Sequence, residues 1–295
     1  SFGRPKPIGQ VIILIGARAL RPGMQIATDA SIGAFVFVFL AGLVTALATG
    51  LGAIPFFLFD DISDRWNVAL WGIASGIMVS ASLFGLIGEG LANGTPVELA
   101  VGILAGVVLV VVAHAVLDDY EVSPKKYAQA DFKKLVLILG ILTVHSFPEG
   151  VAVGVSFADL GLQSATGLAI FGTTVPLLAV FMTIAISIHN VPEGVAISIP
   201  LRSMGVGEWR MAWWAVFSSL PQPIGAVIAF AFVRYAREFL PYGFGFAAGA
   251  MIYLVVTEFI PEALDLGAEL PGRGYQELVA GLAVGVAVMV PLAFV

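Results

Sequence analysis

Two nearly identical stretches of the sequence place a histidine, a proline and a glutamate in the same order. They read HSFPEG from His145 and HNVPEG from His189. In each copy the glutamate, Glu149 or Glu193, follows the histidine by four residues, a spacing that puts both side chains on one face of a helix. Two helices that each offer an imidazole and a carboxylate can surround a divalent cation, and this mixture of ligands suits zinc and its neighbours.

The charges of these four side chains fit a dication. Two neutral imidazoles and two carboxylates cancel its charge, so a filled site costs far less in a low dielectric than an empty one. In the empty site at least one of two adjacent carboxylates should take up a proton, and metal binding should then release protons. The alternative is a pair of His–Glu hydrogen bonds that only hold helices together. We disfavour it because the pattern occurs twice and includes two of the three histidines.

The composition places these motifs in a membrane. Of 295 residues, 59% are apolar and only 12% are charged, too few charges to wet the surface of a soluble domain of this length. The chain has no cysteine, which excludes disulfides and thiolate metal sites, and its net charge of −6 offers no basic stripe for nucleic acid. Uncharged runs as long as a membrane-spanning helix cover residues 32–59, 66–88, 211–233 and 239–257.

The breaks between the apolar runs predict an all-α polytopic membrane protein with eight transmembrane helices. The predicted spans are 31–59, 67–91, 96–117, 133–158, 174–201, 209–234, 239–264 and 274–295. The second and seventh spans end in similar sequences, LFGLIGEGL and VTEFIPEAL, as a 3+2+3 arrangement with inverted halves would produce. Gly172 and Pro176 predict a break, with a short re-entrant or interfacial piece before the fifth span.

The N-terminus and the loops bear on topology. We divide the chain into an N-terminal extension, residues 1–28, and a transmembrane domain, residues 29–295. The short apolar run Ile8 to Ala17 predicts a peripheral interfacial helix, although a signal peptide or a short membrane segment would have the same pattern. With eight spans both termini lie on one side. The other side carries the polar loop 118–134 and most Lys and Arg residues, which predicts that it faces the cytoplasm.

The prolines and glycines of the doubled motif also predict features of their helices. Pro148 and Pro192 lie inside the spans and each removes a backbone hydrogen bond, so they predict kinked, partly unwound helices. Gly150 and Gly194 have no side chain and allow neighbouring helices to pack closely.

HSFPEG and HNVPEG resemble the signature motifs of the fourth and fifth helices of the ZIP family of divalent-metal transporters. The first two spans, with GLVTALATGLGAIPFFL and ASGIMVSASLFGLIGEG, resemble the prokaryotic GufA-like branch, and the similarity runs over residues 31–295. The resemblance implies eight helices with both ends outside the cytoplasm, a zinc site at the membrane midplane and a homodimer. It also implies an elevator-type movement of the first, fourth, fifth and sixth spans against a scaffold of the second, third, seventh and eighth.

Carried over by position, the resemblance implies a main site whose ligands are His145, Glu149, His189 and Glu193. Met78 aligns with a thioether that some relatives place beside the metal. Relatives with two adjacent metals have Asn, Asp or Glu at three further positions, which here are Ser146, Asn190 and Gln222. No carboxylate remains among these three, so we expect one well-occupied metal and a neighbouring site that is weak or absent. Alternatively, Asn190 and Gln222 only form hydrogen bonds across helices, a role that is compatible with this expectation.

Other polar residues near the ends of the spans are candidates for a transport pathway. His114 and Asp118 form another pair four residues apart and could be exit ligands. The acidic residues of the second and seventh spans could line a mouth of the pathway, but solvated helix ends explain them equally well. The full set is Glu89, His114, Asp118, Glu258, Glu262 and Asp265.

We therefore predict a transporter, not an enzyme, in the inner membrane of a prokaryotic cell. It moves Zn²⁺, and also Cd²⁺, Fe²⁺, Mn²⁺ or similar ions, into the cytoplasm. Its predicted partners are the metal ion, the lipid bilayer and a second copy of the chain. The alternative is an intramembrane metalloenzyme or a metal sensor. The chain lacks both the HExxH motif of zinc hydrolases and the Glu-x-x-His pattern of di-iron bundles.

Overall fold

The computed structural model describes residues 22–58, 62–117, 145–161 and 167–291. Within these ranges the chain is almost entirely helical, with one two-stranded β-hairpin. The strands are β1 (Gly167–Ile170) and β2 (Thr173–Pro176). In chain order the helices are α1 (Pro22–Leu51), α2 (Asp64–Asn93), α3 (Pro96–Leu117), α4 (145–156), α5 (Leu177–Ser203), α6 (Glu208–Tyr235), α7 (Arg237–Glu269) and α8 (Tyr275–Met289).

Several helices have the length and composition of membrane spans. In the described part of the chain, six of them are long and apolar enough to cross a bilayer: α1, α2, α3, α5, α6 and α7. Large apolar side chains such as Val101, Leu104 and Val108 on α3 are exposed, as expected of a surface that contacts lipid. The prediction of a polytopic helical membrane protein is confirmed. The number eight stays a prediction, because α4 is described only from residue 145 and α8 has 15 residues.

The β-hairpin is a local addition to the helical architecture that the sequence did not predict. Phe171 and Gly172 form the turn, with φ values of 49° and 77°. Positive φ at both central residues is typical of two-residue hairpin turns, and the β-branched Thr173, Thr174 and Val175 favour the second strand. The predicted break at Gly172 and Pro176 is confirmed, since α5 begins directly after Pro176.

Two pairs of helices pack so closely that their backbones touch at glycines. Gly72 and Gly76 of α2 face Gly281 and Gly285 of α8, and a Cβ atom at Gly76 would lie 2.3 Å from the carbonyl oxygen of Leu282. Helices α3 and α7 use the same device, with Gly102, Gly106, Gly245 and Gly249. Small residues spaced four apart allow this approach in membrane helices.

The other four helices meet in the same way. Gly150 and Gly154 of α4 lie against the backbone of α6 at Gln222 and Ala226, and Gly194 of α5 lies against the carbonyl group of Thr49 in α1. The prediction that Gly150 and Gly194 allow close packing is confirmed. The expected unwinding at the prolines is wrong, because α4 and α5 stay helical through Pro148 and Pro192.

Helices α2 and α7 each contain a short π-helical segment, Ala81–Ile87 and Val255–Phe259. Such widened turns are rare and occur frequently at functional sites. In α7 the segment precedes Pro261, which cannot donate the usual hydrogen bond to the carbonyl group four residues earlier.

Some of the predicted features lie outside the described residues. These are the apolar run Ile8 to Ala17, the loop 118–134 and Asp118. Helix α1 is described from Pro22, so it continues across the predicted boundary between residues 28 and 29.

Candidate metal centre

Three residues of the doubled motif meet in the interior of the helix bundle. Glu149 of α4 and His189 and Glu193 of α5 are all buried. Each offers one ligand atom, and these atoms all lie within 4.8 Å of one another. We call Glu149, His189 and Glu193 the central group.

Close helix packing positions this group. Because α4 and α5 are helical through their motifs, the residues four apart share a face, as the spacing predicts. The glycine after each glutamate touches a neighbouring backbone, Gly150 on α6 and Gly194 on α1. A larger residue would hold the helices apart, so these glycines keep the two carboxylates between the packed helices.

Hydrogen bonds fix one of the carboxylates. Glu149 Oε1 lies 3.2 Å from Nε2 of His189, and Glu149 Oε2 accepts a hydrogen bond of 2.5 Å from Nε2 of Gln222. The side-chain amide of Asn190 in turn donates to Oε1 of Gln222 at 3.0 Å and to the carbonyl group of Thr45 at 2.7 Å. This chain of contacts joins α1, α4, α5 and α6. It uses Gln222 and Asn190 as hydrogen-bonding residues, one of the two roles left open by the sequence.

In the described part of the chain, the carboxylate of Glu193 has no such hydrogen bonds. Among the described residues, both carboxylate oxygens of Glu193 and Nδ1 of His189 are buried without a hydrogen-bond partner. A buried polar group without a partner is costly, and a carboxylate more so. A cation held between Glu149, His189 and Glu193 would give the carboxylate of Glu193 the partner that it lacks.

An aromatic ring of α7 covers the central group. Phe259 stacks on the ring of His189, with 5.3 Å between ring centroids and 14° between planes. Sequence reasoning did not single out Phe259, because one phenylalanine among the 21 in the chain carries no distinguishing pattern. The only available signal in the sequence was its position directly after Glu258.

The fourth residue of the doubled motif lies in a different group. His145 is one helical turn before Glu149, but its ring faces α3 and α7. Nε2 of His145 lies 3.8 Å from Oε1 of Glu258, and Nε2 of His114 contacts the same oxygen. The ligand atoms of His114, His145 and Glu258 also lie within 4.8 Å of one another. We call these three residues the lateral group.

The remaining candidates are spread over the bundle. Met78 is buried in the core on α2, and Ser146 is buried next to His145. Glu89, near the C-terminal end of α2, accepts a hydrogen bond from the side chain of Asn93 at 3.1 Å. Glu262 is half-buried and Asp265 is exposed on the last turns of α7. The described structure therefore brings two sets of ligands together and leaves Glu89 and Asp265 apart from both.

Comparison with known proteins identifies the class. A ZIP zinc transporter family model matches residues 163–293. Zinc transporter ZIPB of Bordetella bronchiseptica is 31% identical over 244 residues, which cover 79% of this chain and 74% of the relative. Zinc transporter GufA of Myxococcus xanthus is 27% identical over 245 residues, 78% of this chain and 89% of the relative. An Arabidopsis thaliana protein whose name suggests zinc transport is 41% identical over 227 residues, 77% of this chain.

The chain is thus an integral membrane protein with buried carboxylate–imidazole groups, and it belongs to the ZIP family. The predicted family is confirmed. Members of this family are transporters, which confirms that the protein is not an enzyme. The chain spans only 34% of the length of the Arabidopsis relative, but most of the length of the two bacterial ones.

Proposed function

We propose that this protein transports Zn²⁺ into the cytoplasm through the central group. The observation that carries the proposal is the buried, unpartnered carboxylate of Glu193 beside Glu149 and His189. Two carboxylates and one imidazole form a harder ligand set than the sulfur sites that retain zinc permanently, as suits a cargo that must be released. The printed names of the bacterial relatives, both zinc transporters, support this choice of metal.

The proposal includes a broader range of ions and a single well-occupied position. Nitrogen and oxygen ligands also suit Fe²⁺, Mn²⁺ and Cd²⁺, which we propose as further cargo. A second adjacent ion is disfavoured because Gln222 and Asn190 are neutral and bonded to each other. Met78 and His145 are the additional ligands that the family resemblance implies for the central site.

We propose an elevator-type motion between two sets of helices. One set is α1, α4, α5 and α6, and the other is α2, α3, α7 and α8. Among the described glycines, every Cβ position within 3 Å of the backbone of another helix joins helices of the same set. Backbone contacts of this kind resist sliding, whereas side-chain contacts between the sets can re-form after a shift. The packing thus supports two rigid sets of helices that can slide past each other.

The same contacts support inverted halves in a 3+2+3 plan of eight spans. An inverted repeat relates α2 to α7 and α3 to α8, so the α2–α8 pair corresponds to the α7–α3 pair. Both pairs use two glycines four apart on each helix, and both α2 and α7 carry a π-helical segment. The homodimer and the location in a prokaryotic plasma membrane rest on the family resemblance.

Metal influx into proteoliposomes tests the proposal. The vesicles would hold an indicator for Zn²⁺ and Cd²⁺, and the wild type would be compared with His189→Ala. We expect saturable influx that this substitution abolishes. The matched control is Glu269→Gln, which removes an exposed acid at the end of α7 and should leave the influx intact. Equal influx in the wild type and His189→Ala would contradict the proposal.

A further inference from the structure

We propose that a groove between the β-hairpin and helices α1 and α5 binds one acyl chain of a membrane lipid. The groove has a volume of about 310 Å³. An apolar cavity of about 150 Å³ takes up benzene, so this groove has room for a hydrocarbon segment of roughly twelve carbon atoms. Such binding requires neither the metal nor the motion proposed above.

The groove presents hydrocarbon to a ligand. Of the described residues that line it, only Thr183 has a polar side chain. The hydroxyl group of Thr183 donates a hydrogen bond of 2.7 Å to the carbonyl oxygen of Ala179 in the same helix, so it needs no partner from a ligand. A polar ligand would lose its hydrogen bonds to water in this groove and gain none in return. An acyl chain loses nothing.

The groove opens on a surface that faces lipid. Its rim consists of Leu40 and Val44 of α1 and Ile184 of α5, whose side chains are 50%, 53% and 51% exposed. Both helices are long and apolar enough to span a membrane. Ile184 lies seven residues after the start of α5 at Leu177, a rise of about 10 Å. The groove therefore extends from the end of α5 into the hydrocarbon layer.

The position of the hairpin indicates which leaflet supplies the lipid. The loop 118–134 connects α3 to α4, whereas the hairpin connects α4 to α5, so the two lie at opposite ends of the bundle. The basic residues of the loop place it in the cytoplasm. The acyl chain then comes from the outer leaflet.

Phe171 at the tip of the hairpin is the most unusual residue of the groove. Its side chain lines the groove but is 96% exposed. Its φ of 49° lies in the left-handed region, where a bulky residue is strained and where such a turn favours asparagine or glycine. Observed strain of this kind indicates a role beyond folding. A ring that closes over a bound acyl chain explains both the strain and the exposure.

An acyl chain fits the groove better than a helix of a second copy. Lipid tails are as apolar as leucine, so helices in a bilayer associate through close packing at small residues. Among the described residues that line the groove, only Ala41 and Thr183 are small. A flexible chain can follow the larger side chains between them. Since these lining residues are all uncharged, we expect no preference for the charge of the lipid headgroup.

Photo-cross-linking of the full chain tests the proposal. The protein would be reconstituted in phosphatidylcholine vesicles that contain a phosphatidylcholine with a diazirine in its acyl chain. After irradiation, mass spectrometry of peptides would locate the adducts. We expect adducts on Phe157 and Val175, which form the floor of the groove. Their side chains are only 2% and 1% exposed, so a lipid that merely surrounds the bundle does not reach them.

Two valines of α1 provide a matched pair of variants. Val44 and Val36 are 53% and 52% exposed, but of the two only Val44 lines the groove. We expect Val44→Trp to fill the groove and abolish labelling of Phe157, whereas Val36→Trp should leave it unchanged. Both positions are at the surface, so both variants should fold.

Phe171→Asn separates a role in lipid binding from a role in folding. Asparagine tolerates the left-handed region, so the variant should unfold in detergent at the same temperature as the wild type or a higher one. Labelling of Phe157 should fall about tenfold, as expected when an acyl chain loses its contact with one aromatic side chain.

Several outcomes would overturn the proposal. The first is adducts confined to exposed residues such as Val36 and Leu104, with none on Phe157 or Val175. The second is equal labelling of Phe157 in the wild type and Val44→Trp. Early unfolding of Phe171→Asn with undiminished labelling would assign the ring to folding instead. Normal labelling together with failed metal influx would support the lipid site and count against the proposed function alone.

Discussion

At the scale of single residues, the two carboxylates of the central group differ in their surroundings. Glu149 accepts a hydrogen bond from Gln222, whereas both oxygens of Glu193 are buried without a partner among the described residues. Burying a carboxylate without a partner destabilises the folded protein, and a bound cation offsets that destabilisation. Glu193 should therefore lower the stability of the metal-free protein and raise its metal affinity.

Replacement of Glu193 separates these two effects. We expect Glu193→Gln to lower Zn²⁺ affinity by at least about 100-fold, because even indirect partners of a metal contribute 10–100-fold. The metal-free variant should unfold at the same or a higher temperature than the wild type, since a neutral amide is cheaper to bury. Isothermal titration and thermal unfolding in detergent check both effects. A variant that binds Zn²⁺ normally but unfolds early would mean that Glu193 is structural.

We expect the neutral side chain of Gln222 to limit the number of ions that the site accepts. A Gln222→Glu substitution puts a third carboxylate beside Glu149 and replaces the donor of their hydrogen bond with an acceptor. We expect the metal-free variant to lose about 1–3 kcal/mol of stability and to bind more Zn²⁺ per chain than the wild type. Equilibrium dialysis combined with thermal unfolding measures both quantities. An unchanged number of bound Zn²⁺ ions at saturation would contradict this expectation. It would show that no second metal position exists, rather than one that lacks only a carboxylate ligand.

At the scale of helices, close backbone packing at glycines holds pairs of helices together. In Gly76→Ala the new methyl group would lie 2.3 Å from a carbonyl oxygen of α8, so the helices must separate. We expect a loss of about 1–3 kcal/mol or more, measured as earlier thermal unfolding. The control is Gly88→Ala on the same helix, where the methyl group meets no atom within 4 Å. It should be neutral or stabilise by about 0.5–1 kcal/mol. Equal effects of the two substitutions would contradict the packing argument.

Three of the four ligands predicted for the main site meet in the central group, but the contact of the fourth, His145, with His114 and Glu258 was not predictable at this scale. The four-residue spacing puts His189 and Glu193 on one face of α5, and the apolar runs indicate the membrane spans. Both features follow from local periodicity in the sequence. The partner of His145 depends on which helix faces it, and spacing within one helix says nothing about that. The π-helical segment of α7 aims Glu258 and Phe259 at different groups, and the hairpin between α4 and α5 depends on two positive φ values. The π-helical segment has no pattern in the apolar sequence around it, and Gly172 indicates a break but not the positive φ of Phe171.

At the scale of the whole molecule, a tether between the two helix sets should stop transport. A Cβ atom at Gly243 of α7 would lie 4.0 Å from Cβ of Val155 in α4, a separation that suits a disulfide. We expect oxidation of the Gly243→Cys, Val155→Cys double variant to abolish Zn²⁺ influx and a reductant to restore it. The chain's lack of cysteine leaves no competing thiol.

A second double variant controls for the chemistry of cross-linking. Oγ1 of Thr49 and Oγ of Ser219 lie 2.8 Å apart within one helix set, so Thr49→Cys with Ser219→Cys should form a disulfide in α1 and α6. Transport should survive this tether. Influx that continues in the oxidised Gly243→Cys, Val155→Cys variant would contradict a sliding motion between the sets.

Anomalous diffraction at the zinc edge, from crystals of the wild-type chain loaded with Zn²⁺, tests the central claim most directly. We predict a peak enclosed by Glu149, His189 and Glu193, within bonding distance of a ligand atom from each. Zinc peaks elsewhere, with no peak between these three residues under saturating Zn²⁺, would contradict the claim that the cargo occupies this group.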